Sequence, residues 1–246
     1  MNSTIKDRAP TQSQRALDGI REMLFSGVFI PGARLSEPAI AERLQISRTP
    51  VRAALARLEQ EGVVDAIPSG GFAVRSFAPK DILDAIELRG VLEGTAARLA
   101  AERGITPAQS LAMHRVLAEI DEVLTATHHA LDHDPYTRCN AAFHELIKTA
   151  SDSPVIEREI SRLVCLPFSG PNALLMVQRE LPEFHGSLLL AQSQHKAILE
   201  AIELREGTRA ENLAREHARL ARWNLEVAMN DDRIKARYPA LTLVTG

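Results

Sequence analysis

The sequence predicts a mainly α chain in two parts: three helices and a β-hairpin over residues 9–77, then an all-α bundle over residues 78–246. Three observations carry this reading. Aromatic residues are only 4% of 246 positions against 45% hydrophobic and 25% charged, and the abundance of Ala, Leu, Arg and Glu suits helices better than a sandwich or barrel. Pro79, Pro107, Pro135 and Pro154 each open an apolar-periodic stretch, as proline can in a first helical turn, where its missing N–H has no partner to lose. Charge divides the same way: residues 1–77 hold 10 Lys+Arg against 8 Asp+Glu, residues 78–246 hold 19 against 24, and all 8 histidines follow residue 113.

In residues 11–26, Ala16, Leu17, Ile20, Met23 and Leu24 recur at three- and four-residue spacing, which marks one face of an amphipathic helix. Pro31-Gly32 breaks the chain. Ser36 caps a short second helix with Glu37 and Pro38 in its first turn and Ile40, Ala41 and Leu44 on its apolar face. Gln45-Ile46 is a turn, and Ser47 caps a third helix, residues 48–59, that ends near Gly62. Residues 63–67 and 71–75 are short β-type runs around Pro68-Ser69-Gly70, the pattern of a hairpin. Helix, helix, tight turn, helix, hairpin is the order of a winged helix-turn-helix.

On the third helix Arg48 and Arg52 lie four apart, roughly 40° around the axis, so both project from the exposed N-terminal face while Val51, Leu55 and Leu58 turn inward. A helix of this kind reads DNA: arginine pairs with guanine O6 and N7 through two parallel bonds worth ~1–3 kcal/mol, and a helix N-terminus with Ser47 and Thr49 suits phosphate. The other reading is a solvated face with two surface arginines.

The second part continues with helices from Pro79 to about Glu102, Thr106 to about Thr127, Asp134 to about Ala150, and Ser153 toward Phe168. A long apolar-periodic helix follows from about Glu183 to Arg205. After Gly207, Thr208-x-x-Glu211 reads as a capping box opening a last helix to about Met229. Asn140 and His144 share one helical face. His195 and His217 would stand ~33 Å apart on a continuous helix, but Gly207 lies between them, and an antiparallel hairpin turning there (~18 Å out, ~15 Å back) returns them to similar heights. Three imidazoles and an amide oxygen then converge. Each histidine also has a simpler reading as a surface or core residue, and His114, His128, His129, His133 and His185 fit no pattern and are assigned to the surface.

Arg34-Leu35-Ser36-Glu37, residues 40–44, residues 46–52 and Glu61-Gly62-Val63-Val64 resemble the GntR-family winged-helix motif almost throughout. The resemblance implies base or phosphate contacts from Arg34, Arg48 and Arg52, support from Arg43, Ser47 and Thr49, and a wing tip at Gly70 and Gly71 in the minor groove. Pro38 and Gly70 depart from it, since some relatives carry basic residues there. Glu87-Leu88-Arg89, Leu92-Glu93, residues 96–101, Asn140 to His144, residues 195–202 and Glu216-His217 resemble the FCD effector domain that follows a GntR head in the FadR subfamily. That resemblance implies a helical bundle in which Asn140, His144, His195 and His217 hold a divalent metal, with a small carboxylate effector docked against it. Asn140 stands where many relatives have Asp, and a neutral amide weakens the site; three neutral histidines still suit Zn or Ni. Arg89 and Glu93, i and i+4, are either a surface ion pair or an effector-facing arginine with its neighbour.

The expected protein is thus a homodimeric transcriptional regulator, a repressor on family habit, that binds a pseudo-palindromic double-stranded operator and responds to a small carboxylate by a shift in its heads. Two alternatives stay open: a DNA-binding protein whose bundle only dimerises, and a His-metal enzyme. Against the enzyme, no acid or base stands at motif spacing beside the histidines, and Glu145 points about 100° away from His144. No run approaches the ~20 apolar residues that span a bilayer, and the first residues do not resemble a signal peptide, so a cytoplasmic protein is expected. Cys139 and Cys165, outside any C-x-x-C pair, are expected as small buried filler.

Overall fold

Thr11 starts the first helix by accepting the Gln14 N–H on its hydroxyl at 3.2 Å, and α1 runs Gln12–Phe25 in this computed structural model of the chain. The structure describes residues 11–26, 28–126, 133–166, 168–172, 175, 184–238, 241, 243 and 244. They divide into two units, Met1–Phe77 with Tyr238–Gly246, and Ala78–Arg237. The second part was expected to run to residue 246. Instead the Phe77 N–H donates to the Leu243 carbonyl at 2.8 Å, Phe77 bridges Val244, and Leu241, Leu243 and Val244 are buried, which ties the chain's end to the first unit.

In the first unit Ser36 accepts the Ala39 N–H at 3.4 Å and opens α2 (Glu37–Leu44), with Pro38 in its first turn. Gln45 ends α2 at φ 54, in the left-handed region, and the Ile46 N–H returns to the Ala41 carbonyl at 3.0 Å. That short turn aims α3 (Arg48–Gln60). Ser47 stands at its N-cap position without the expected side-chain bond. Leu17, Ile20, Leu24, Ile40, Val51, Leu55 and Leu58 form the core, each worth about 1.5–3 kcal/mol by burial.

The hairpin is β2 (Val64–Ala66) and β3 (Phe72–Val74), but the sheet has a further strand, β1 (Arg34–Leu35), in the antiparallel order β1-β3-β2. Sequence reading missed β1 because two residues carry no periodicity. It forms because the Gly32 N–H donates to the Val74 carbonyl and the Val74 N–H to the Ala33 carbonyl. Gly70 and Gly71, both at φ 93, make the hairpin turn, a conformation open to glycine at little cost.

The second unit is helical: α4 (Pro79–Arg103), α5 (Pro107–Ala126), α6 (His133–Ala150), α7 (Pro154–Leu163), α8 (Phe184–Glu203), α9 (Gly207–Asn230) and α10 (Asp232–Arg237). Its core includes Ala97, Met113, Ile120, Phe143, Ile198 and Ala201. Gly90 and Gly94 let α4 and α9 approach closely: a Cβ on Gly94 would lie 2.9 Å from the Glu211 carbonyl, and one on Gly90 2.9 Å from the Ala218 Cβ.

The expected capping box at Thr208 does not form. Helix α9 starts two residues earlier, after Glu206, and Glu211 instead meets Arg98 of α4 at 3.0 Å. Cys139 and Cys165 are half buried rather than buried; Cys139 packs against the edge of the bundle core, and the Cys165 thiol donates to the Ser161 carbonyl at 3.2 Å. His128 and His129 lie outside the described residues, as does the side chain of His133. His114 is exposed and paired with Glu203 at 2.9 Å, and His185 is half buried. No helix of the described residues is long and apolar enough to cross a membrane.

Candidate functional site

Each unit carries a concave polar site. In the first, the N-terminus of α3, the start of α2, β1 and the hairpin turn enclose an open groove of ≈ 880 Å³. Arg34, Arg48, Thr49, Arg52, Gly70 and Gly71 line it. Arg43 and Ser47 are exposed but not among the lining residues.

Two of the groove's arginines are held in place. Arg34 donates to the Gly70 carbonyl at 2.8 Å, so strand β1 braces the hairpin tip. The Nε of Arg52 meets both carboxylate oxygens of Glu37 at 3.0 Å, the charge pairing that raises the Arg52 pKa, and this fixes the direction of the guanidinium. Sequence reading had noted Glu37 only as an acid in a first turn. Its role here depends on how α2 and α3 cross.

In the second unit His144 of α6, His195 of α8 and His217 of α9 converge until one ligand nitrogen from each lies within 4.8 Å of the others. The partners of their other nitrogens determine the tautomers. Gln192 gives both its N–H groups to acceptors, the Leu117 carbonyl and Asp121 Oδ1, each at 2.9 Å, so its oxygen faces His195 Nδ1 at 3.3 Å. His217 Nδ1 meets Gln194 Oε1 at 3.0 Å, and His144 Nδ1 meets Glu93 Oε1 at 3.2 Å. Each Nδ1 therefore carries a hydrogen, and each Nε2 of the neutral rings offers a lone pair. His195 Nε2 and His217 Nε2 then face one another at 3.1 Å, and the buried His144 Nε2 has no partner among the described residues. Lone pairs turned together repel unless a cation lies among them. These residues fit a divalent metal, with Glu93, Gln192 and Gln194 orienting the rings.

Burial favours neutral rings at His195 and His217. Burial, then His144, pushes His217 down to about 3 despite the opposing Glu93, and Arg89 adds to the fall. Burial, His217 and His144 push His195 well below the ordinary imidazole value. Burial alone would raise Glu93, but its pairing with His144, the charge of Arg89, the His144 hydrogen bond and the nearby His217 outweigh it and hold Glu93 at about 2.

Asn140 is buried and lines the same cavity, ≈ 40 Å³, together with Arg89, Tyr136, His144, His217 and Asn224. Asn172 gives its N–H to the Thr137 carbonyl, so its oxygen accepts from Asn140 Nδ2 at 2.8 Å. With its N–H committed to Asn172, the Asn140 amide presents Oδ1 as its acceptor end. Arg89 is 2% exposed rather than in a surface ion pair, and its Nε and Nη1 have no partner among the described residues. Sequence reading missed Gln192, Gln194 and Asn224. The first stands three residues before His195 and the last seven after His217, both at same-face helical spacing, but glutamine and asparagine at such spacing are too common to single out.

Residues 12–74 match the family described as "Bacterial regulatory proteins, gntR family", and residues 84–220, more than half the chain, match the FCD domain. Similar proteins include the HTH-type transcriptional regulator YdhC of Bacillus subtilis, 31% identical over 52% of this chain and 55% of YdhC. The Nta operon transcriptional regulator of Aminobacter aminovorans is 39% identical over 41% of this chain and 47% of its own length. The chain thus spans about half of each of these two relatives. Over longer stretches, the Glc operon transcriptional activator of Escherichia coli (strain K12) is 26% identical, covering 90% of this chain and 91% of that one. Among solved structures, Escherichia coli McbR/YncC superposes with a TM-score of 0.68 over 89% of this chain and 99% of its own, at 20% identity, a likeness of fold.

Proposed function

We propose, for a chain that belongs to the gntR family of bacterial regulatory proteins and carries an FCD domain, that it is a DNA-binding transcriptional regulator whose operator affinity is set by a small carboxylate bound in the bundle. The relatives are regulators, not enzymes. On this reading Arg48 and Arg52 contact base edges and Arg34 holds the wing and reaches phosphate. Arg43, Ser47 and Thr49 add backbone contacts, and the Gly70-Gly71 tip enters the minor groove. A homodimer on a pseudo-palindrome is the matching assembly.

For the bundle the carrying observation is the convergence of three unprotonated Nε2 atoms, each ring held by an acceptor at its other nitrogen. His144, His195, His217 and the Asn140 oxygen would hold the metal, Zn or Ni by donor type, with affinity reduced by the neutral Asn140. A bound ion supplies positive charge beside Arg89, and together they favour a carboxylate. Its binding changes operator affinity by as much as it prefers one arrangement of the protein over the other.

The test combines three measurements on the full chain. Metal analysis of protein purified without chelator or His tag should give near one ion per chain. Thermal-shift screening of small carboxylic acids should find stabilisers that need added Zn. In mobility-shift assays Arg48→Ala should cost about tenfold or more in preference for operator over unrelated DNA. Unchanged preference in that variant would overturn the recognition assignment. An acid that stabilises without metal would leave a direct anion pocket at Arg89 and the three histidines. Repression is the proposed sign, and because the Escherichia coli relative is named an activator, a reporter fusion with and without the acid decides it.

A further inference from the structure

The cavity beside the histidines holds two buried polar side chains that a metal alone does not satisfy. Arg89 of α4 offers two unpaired N–H groups, and Asn224 of α9, 3% exposed, has a buried Oδ1 with no partner among the described residues. Asn224 follows His217 by seven residues, two turns along α9, so the two side chains share a face and line the same cavity. The groups make opposite demands. Arg89 calls for an acceptor that carries negative charge, which a carboxylate supplies. The Asn224 oxygen calls for a donor, which a carboxylate lacks, and a carboxylate placed against it would repel it.

We infer that Asn224 accepts a hydrogen bond from a hydroxyl on the effector, so that the cavity selects small hydroxycarboxylates over plain carboxylates and amino acids. This rests on reading the cavity as an effector site. The choice of hydroxyl over ammonium follows from charge: Arg89 and a divalent ion together outweigh the single carboxylate of Glu93, and an ammonium would meet net positive charge. The choice of a polar group over a methyl follows from burial, since an unsatisfied amide oxygen in a ≈ 40 Å³ cavity is more costly than one exposed to water. A site with a buried acceptor aimed at a ligand discriminates strongly against analogues that lack the matching O–H.

The experiment is calorimetric titration of the Zn-loaded full chain with matched acids: lactate and propionate, 3-hydroxybutyrate and butyrate, malate and succinate. Wild type should bind the hydroxylated member of at least one pair about tenfold tighter or more. Asn224→Leu, close in shape but without an acceptor, should bring that pair to within about twofold. Asn224→Ser should keep part of the preference, and it carries the test alone should the leucine variant fail to give a native circular dichroism spectrum. The inference is overturned by equal affinity within every pair in wild type. A preference that survives undiminished in both variants also overturns it, because the hydroxyl would then sit on the metal or a water would satisfy Asn224. If none of the six acids binds, with or without Zn, the effector reading fails and the inference with it; binding without hydroxyl preference defeats only the role of Asn224.

Discussion

In the groove beside α3 Arg52 is 73% exposed and still finds a carboxylate, whereas Arg89 in the bundle is 2% exposed with two N–H groups unpaired. Water solvates an exposed guanidinium whatever its partners, so the groove holds its arginines ready at little cost and through screened interactions. Buried guanidinium N–H groups without acceptors are costly even with a carboxylate such as Glu93 nearby, and they persist only where surrounding packing holds them or a ligand satisfies them. The groove is therefore an exposed cationic surface, while the cavity holds buried polar groups without partners among the described residues.

Loss of a histidine should give the largest effect on this contrast. His217→Ala should weaken Zn binding more than 100-fold in competition with a chromophoric chelator, and Gln192→Leu, which removes only the partner of His195, by about 10–100-fold. Equal affinity in wild type and His217→Ala would remove the metal from the account. Operator affinity of the metal-free protein should be the same in both.

Next comes a pair of glycine substitutions, one in each unit. A Cβ at Gly94 meets the Glu211 backbone carbonyl at 2.9 Å, while one at Gly19 of α1 meets the end of the Leu44 side chain at 2.6 Å, which can rotate. Gly94→Ala should cost about 1–3 kcal/mol in denaturant unfolding. Gly19→Ala should cost less than that or stabilise by up to ~1 kcal/mol through helix propensity. The reverse order would mean that the α4–α9 seam can open.

A smaller effect is expected from pH. In the unfolded chain an imidazole takes a proton near pH 6.5, but His217 in the fold does so at about 3, and His195 is also depressed. Between those values the unfolded chain binds more protons, so metal-free protein should lose stability as pH falls through about 6.5 and show none of this dependence above 7. Glu93, held at about 2, adds a further loss below about 4.5. Melting temperatures from pH 8 to 5 should be flat and then decline by a few degrees, with Zn extending the plateau to lower pH. A flat profile to pH 5 would show the rings to be protonated in the fold.

The smallest change should follow Glu37→Gln, which weakens the clamp on Arg52. Because that pair is exposed, operator affinity in a mobility-shift titration should move by no more than a few-fold. A loss as large as that of Arg48→Ala would make Glu37 essential to placing Arg52.

The helical elements were legible because periodicity and prolines report local preferences, and local preference is decided within a turn or two. Pro79, Pro107 and Pro154 are each the first residue of a helix. Misreadings arose where a distant partner intervened. Strand β1 exists only because β3 lies beside it, Glu211 left its expected cap for Arg98, and the chain's end joined Phe77 of the first unit. The three histidines could be proposed from the hairpin at Gly207 because 1.5 Å per residue fixes height along a helix.

The sequence by itself determined the two-part helical design, the arginines of α3 and the set of histidines, since residue type and helical spacing are properties of the chain. Only the tertiary structure decided the tautomers, the burial of Arg89 and the unpaired oxygen of Asn224. Those depend on which atoms of α4, α5, α6, α8 and α9 come within hydrogen-bonding distance, and a contact between distant segments leaves no period in the sequence of either.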